Sequence, residues 1–155
     1  TFDREILSVA SEFGSGICIT HSKGLPENMQ NQPSYDNILL DIYDFLKEKL
    51  NLAKKAGISE ERIIVDPGIG FGKNLSHNKT LIKNLSLFHG LGCPVMVGLS
   101  RKSFIGEIVG ELDPSKRLGG SLAALLTAVS RGAHLVRVHD VNETKQAIEV
   151  WNSLV

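Results

Sequence analysis

Four short runs of apolar, largely β-branched residues recur along the chain, at 16–20, 62–66, 94–98 and 133–139, with stretches of helical periodicity between them. Each run has strand length, and between runs the apolar spacing lengthens from about 2 to about 3.6 residues. Ile38, Leu39, Ile42, Phe45, Leu46 and Ala53 share one helical face that Gly57 ends, and Leu81, Ile82, Leu85 and Phe88 repeat the theme before Gly90. Asp113-Pro114 reads as an N-cap and first-turn proline opening a further helix. A last helix begins at Asn142 and carries Ala147, Ile148, Val150 and Trp151. Near-continuous apolar strands alternating with helices require a parallel sheet covered by helices, so the fold class is α/β.

Two architectures satisfy this pattern, a doubly wound sheet and a (β/α)8 TIM barrel. Every run ends in polar chemistry: Thr20-His21, Asp66, the stretch Ser100-Arg101-Lys102-Ser103, and Arg137 with His139. A barrel carries its site at the C-terminal ends of all its strands, whereas a doubly wound sheet concentrates it at one switch point, so the barrel is favoured. A whole barrel takes about 250 residues; 155 residues with four strands correspond to its four C-terminal βα units, a partial barrel with two open edges and an unfilled interior. Thr1 opens inside an amphipathic stretch without an initiator Met, a cap or a preceding strand, which reads as a cut end. Gly119, Gly120, Ser121, Ala123 and Ala124 form a small-residue stripe that permits either close helix contact or tight packing on the sheet.

Composition narrows the partners. With 17 Lys+Arg against 17 Asp+Glu there is no electrostatic case for nucleic acid or an anionic membrane, and any anion site must be local. Residues 66–140 do hold nine Lys/Arg against five Asp/Glu, a local excess that the rest of the chain cancels. No apolar run approaches the ~18 residues of a membrane span, and the N-terminus lacks a signal pattern. Cys18 and Cys93 sit in apolar runs without CxxC spacing and read as reduced core residues of a cytoplasmic protein. His77, His89 and His134 follow no metal-ligand spacing and read as helix or surface residues.

The most informative segment is Asp66-Pro-Gly-Ile-Gly-Phe-Gly-Lys73. It is no P-loop, because only three residues separate Gly68 from Gly72 and Asn74 stands where a magnesium-holding Ser or Thr is needed. Nor is it a dinucleotide turn. What remains is a carboxylate, Asp66, fixed at a strand end, with Phe71 presented on a glycine-flanked loop. That pair suits flat ligands with adjacent N–H donors, although Asp66 as a turn cap and Phe71 as a core residue stay open. Ser100-Arg101-Lys102-Ser103 favours an electron-rich or anionic ligand, against a solvated turn. Arg137 and His139 lie two residues apart on one strand face, opposite Val136 and Val138. They point to bound phosphate, unless Arg137 pairs with Asp140 or another acid.

Together, and in this order and spacing, Asp66–Lys73, Ser100–Ser103 and Arg137-Val-His-Asp-Val141 resemble three C-terminal signatures of the dihydropteroate synthases, and residues 21–30 resemble the loop after that family's fifth strand. The resemblance covers nearly the whole of 1–155, as the C-terminal part of a pterin-binding barrel domain. It implies condensation of 4-aminobenzoate with a 6-hydroxymethyl-dihydropterin pyrophosphate in folate biosynthesis, and a site that sulfonamides share. Carried over, it implies a catalytic set of Asp66 and Lys102 on the pterin and Arg137 and His139 on the pyrophosphate. Phe71, Gly98, Arg101 and Ser103 would be substrate-binding. It implies Mg2+ as cofactor, with its ligand in an N-terminal half not present here, and a homodimer or association with that half. Thr20 and Ser22 depart from the methionines that flank the matching histidine in the family, which leaves the apolar wall of the pterin pocket in question. The competing readings are a non-catalytic fragment acting as an assembly partner and a pterin-dependent methyltransferase barrel, which Ser100-Arg-Lys-Ser103 disfavours.

Overall fold

The apolar runs do become parallel strands: β1 (Ile17–Thr20), β2 (Ile63–Asp66), β3 (Met96–Val97) and β4 (Leu135–Val136). The structure, a computed structural model, describes residue 3, residues 5–24 and residues 33–155; Thr1 and positions 25–30 of the loop read above lie outside them. β1 pairs with β2 in register Cys18↔Ile64 and Thr20↔Asp66, β2 meets β3 through Val65↔Val95, and β3 pairs with β4 through Val97↔Val136. Spatial order therefore follows chain order with no reversal, as in a barrel wall. β3 and β4 are shorter than the apolar runs. Pro94 has no N–H to donate, and His134 and Leu135 both donate to the single Val95 carbonyl, so the regular ladder starts late.

Between the strands run α1 (Ile6–Glu12), α2 (Ile38–Lys55), α3 (Leu75–Lys83), α4 (Ser103–Val109), α5 (Leu118–Ser130) and α6 (Val141–Leu154). Asn37 caps α2 by accepting from the N–H groups of Leu39 and Leu40. Asn74, the residue that disqualified a P-loop, caps α3 in a reciprocal box with His77. Three helix expectations need correction. The helix expected through Phe88 stops at Lys83, because Asn84 turns its side chain back onto Thr80 O, and a 3-10 segment (Leu85–Leu91) ends at Gly92, φ +77°, not at Gly90. Asp113-Pro114 opens only a 3-10 turn (Pro114–Lys116), and the α-helix starts at Leu118. Val150 points to solvent rather than inward.

One face of the sheet carries the core. Ile19, Ile63, Val65, Val95 and Val97 are buried with Ile42 and Leu46 of α2, Leu81 of α3, Phe88 of the 3-10 segment and Ala128 of α5. The alternate residues Cys18, Ile64, Met96 and Leu135 are exposed or half-buried, since the period of two turns them to a face that no described element covers. This corrects the placement of Cys18, which is exposed, whereas Cys93 is buried as expected. Gly120 brings α5 against Ile105 of α4, where an added Cβ would lie 2.4 Å from Cγ2, so within the small-residue stripe Gly120 serves a close helix contact, whereas Gly119 faces open space. No helix among the described residues is long and apolar enough to cross a membrane.

Candidate active site

The C-terminal strand ends converge. Asp66 closes β2 and accepts the Gly68 N–H at 2.7 Å, so it does serve its own turn, yet its second oxygen is left for other partners. The glycine loop after it is held by side chains rather than by secondary structure. Lys102 donates to Ile69 O, Lys73 to Phe71 O at 2.9 Å and Tyr35 Oη to Gly72 O at 2.7 Å, while Asn78 accepts from Gly70 N at 2.8 Å. Phe71 does not fold into the core. Its half-buried ring lies under Lys102, whose Nζ stands 4.2 Å from the ring centroid. Gly68 and Gly70 have φ of +70° and +83°, and the left-handed backbone lets the loop double back over itself.

The loop after β3 contributes a second wall. Gly98, Ser100, Lys102, Arg137 and His139 line one concavity. The Arg137 guanidinium lies over Gly98, where an added Cβ would sit 3.3 Å from Nη2. His139 meets Ser100 Oγ through Nδ1 at 3.0 Å, which joins the ends of β3 and β4. Asp140 does not pair with Arg137. It accepts instead from both Nε (3.1 Å) and Nη2 of Arg101, which leaves Arg137 without a carboxylate partner among the described residues. Arg101 therefore reaches the rim with its fork already engaged, and its backbone takes φ +60°. Ser121 Oγ holds its N–H at 2.9 Å, and the buried Arg117 donates to its carbonyl at 3.0 Å. Ser103 opens α4, exposed and outside the concavity.

Electrostatics link the two walls. Burial pushes the Asp66 carboxyl up, opposed by the Gly68 N–H and by Lys102, Lys73 and Arg137. Burial lowers Lys102 to about 8, with Arg137 lowering it further and Asp66 resisting. Three cations thus face one buried carboxylate. His21 and Lys73 escaped the sequence reading as a pair, because 52 positions separate them; their only sequence signal was a lysine closing the glycine motif. His21 is buried against Phe45, and Thr20 beside it meets Cys18 at 3.7 Å on the uncovered sheet face. His77, His89 and His134 are structural, as expected: His77 closes the α3 cap, His89 lies 2.7 Å from Gly132 O, and His134 Nδ1 accepts from Val95 N at 3.1 Å.

The strand ends of this α/β sheet thus bring together one buried carboxylate, a stacked Phe71–Lys102 pair and an arginine with no carboxylate partner among the described residues. The chain belongs to the pterin binding enzyme family, whose profile matches residues 1–139. It is 44% identical over 144 residues to the dihydropteroate synthase of Escherichia coli (strain K12), an alignment covering 93% of this chain and 51% of that protein. Among solved structures it overlays the dihydropteroate synthase of Thermus thermophilus in complex with 6HMPPP (TM-score 0.92, 38% identity), covering 98% of this chain and 60% of that one. It also overlays the synthase of Xanthomonas albilineans with 4-aminobenzoic acid (TM-score 0.90, 38% identity), covering 98% and 54%. The chain spans about half the length of the curated synthases it matches.

Proposed function

We propose that this chain forms the C-terminal four βα units of a dihydropteroate synthase barrel and supplies its aminobenzoate and leaving-group side. The observation that carries this is that Arg137 and His139 line one concavity with Gly98 and Lys102, while Asp140 is diverted to Arg101 and leaves Arg137 without a carboxylate partner among the described residues. The relatives' complexes with 6HMPPP and 4-aminobenzoic acid support the same two substrates here. Asp66 would accept from the amino and N–H edge of the pterin, and Lys102 would donate to the ring acceptors beside Gly98. Phe71 and Ser103 would border the aminobenzoate.

In the reaction the amine nitrogen of 4-aminobenzoate forms a bond to the pterin methylene carbon, the C–O bond to pyrophosphate breaks, and the amine loses a proton. A weak aniline nucleophile gains most from orientation and from stabilisation of the departing charge. Arg137 and His139 would meet that charge, and Asp66 would offset the positive charge that develops on the ring. Among the described residues no cluster of three acids, histidines or cysteines can hold a metal, and Asp140 is tied to Arg101. The magnesium that the family implies does not fit these groups, and its ligands would come from outside the described residues. The uncovered face and the free edges of β1 and β4 fit association with four further βα units, or with a second copy. The protein would be cytoplasmic, with both thiols reduced.

The test is equilibrium dialysis of 4-aminobenzoate with and without pyrophosphate, and a turnover assay of 4-aminobenzoate with the 6-hydroxymethyl-dihydropterin pyrophosphate, each using the chain alone and mixed with the N-terminal half of a relative's barrel. Pyrophosphate-dependent binding and product formation in the mixture are expected. A methyltransferase barrel would show neither, and a non-catalytic fragment would show no turnover in any mixture.

A further inference from the structure

Lys73 is 3% exposed, and among the described residues it forms no ion pair. Its Nζ stands 2.9 Å from His21 Nδ1 and 2.9 Å from Phe71 O. Burial and the lysine's own charge lower His21 to about 3, so the ring is neutral and Nδ1 is the acceptor. A buried ammonium with two neutral acceptors and no ion pair is an expensive device for holding one loop carbonyl. Of the neighbouring loop groups, Gly72 O and Gly70 N are held by the uncharged Tyr35 and Asn78, and Ile69 O by Lys102, which unlike Lys73 is only half-buried. The groups facing Lys73 are His21 after β1, Asp66 at the end of β2, Lys102 before α4, His77, which Lys23 also faces, and Asn78 of α3, whose Nδ2 donates to Lys73 O at 3.4 Å. Of these only Asp66 favours the charged lysine.

We infer that Lys73 is a positioning residue: braced by His21, its ammonium fixes the Phe71 carbonyl, and with it the ring stacked on Lys102, while supplying positive field behind the Asp66 carboxylate. This rests on the reading of Asp66 and Phe71 as substrate contacts. Burial lowers Lys73 to about 7, so the device loses its charge close to neutrality.

The test uses the full chain without substrate, labelled with 13C at aspartate carboxyls and lysine Cε, with Asp66 assigned by Asp66→Asn. Across pH 5–9 or so, the Asp66 carboxyl signal should show, besides its own titration, an inflection at the midpoint of Lys73, and the Phe71 ring signals should move with it. In Lys73→Met that inflection should vanish and the Asp66 midpoint should rise by about half a pH unit or more. Lys73→Arg should restore the low midpoint. A lysine that merely braces the loop would leave the Asp66 midpoint unmoved in Lys73→Met, and that result overturns the inference. Should Lys73→Met fail to fold, the wild-type titration decides alone, because an Asp66 signal indifferent to Lys73 deprotonation is equally fatal. No substrate enters this measurement, so its outcome is separate from that of the dialysis experiment.

Discussion

Gly68→Ala should be among the most damaging single-methyl additions this chain can receive. Gly68 has φ +70°, which costs an L-residue about 1–2 kcal/mol. A Cβ there would also fall 1.8 Å from the carbonyl oxygen of His21, a backbone atom that cannot swing aside. Restoring ordinary contact means separating the two loops by at least ~1 Å. That separation pulls on the His21 N–H to Asp66 O bond (3.0 Å) and on the Lys73 to His21 contact (2.9 Å). At about 0.5–1.5 kcal/mol each, these bring the total to about 3 kcal/mol or more. Two further glycines calibrate the terms. Gly110 has φ +73° and nothing near its missing Cβ, so Gly110→Ala should cost only the backbone term of about 1–2 kcal/mol. Gly119 lies in α5 with ordinary helical φ and open space, so Gly119→Ala should stabilise by about 0.5–1 kcal/mol. Urea unfolding followed by far-UV circular dichroism gives all three from midpoint shifts at constant m-value. If Gly68→Ala costs no more than Gly110→Ala, the close approach of the two loops is not real, and the placement of Asp66 built on it fails.

Three further outcomes follow from individual side chains. Lowering the pH from about 6.5 towards 3 should destabilise the fold by at most about 4 kcal/mol through His21, because the unfolded chain binds a proton in that window that the buried ring at about 3 does not. His21→Gln should flatten this acid limb, and an unchanged limb would show that His21 is not held neutral. Cys18 should react with Ellman's reagent in the native chain, more slowly than free cysteine because burial raises its thiol pKa, while the buried Cys93 should react only in denaturant. Equal rates for the two thiols would contradict the one-sided sheet. Arg137→Ala should weaken pyrophosphate binding at least ~10-fold and flatten its salt dependence. Arg101→Ala should do far less, since Asp140 already occupies that fork, and calorimetry showing the reverse order would reassign the anion site.

The local alphabet of the fold was legible in the chain. The apolar runs placed the strands, and of the polar residues ending them Ser100, Arg101, Lys102, Arg137 and His139 line the concavity. Spacing also set Arg137 and His139 on one face, away from Val136 and Val138, because pleating depends only on sequence distance. Competition among distant groups had to be decided in three dimensions. Asp140 sits within reach of either Arg137 or Arg101 by sequence, and only the folded loops, with Arg101 held at φ +60° by Ser121 and Arg117, direct it to Arg101. Cys18 reads as apolar like its neighbours, but which face of the sheet the helices cover is a packing outcome, and it left Cys18 on the bare side. Lys73 and His21 lie 52 positions apart, and their contact exists because adjacent parallel strands bring their following loops together. Backbone periodicity is a local property that a sequence carries in full, whereas the partner of a buried charge is settled by whichever group the tertiary fold brings within 3 Å or so.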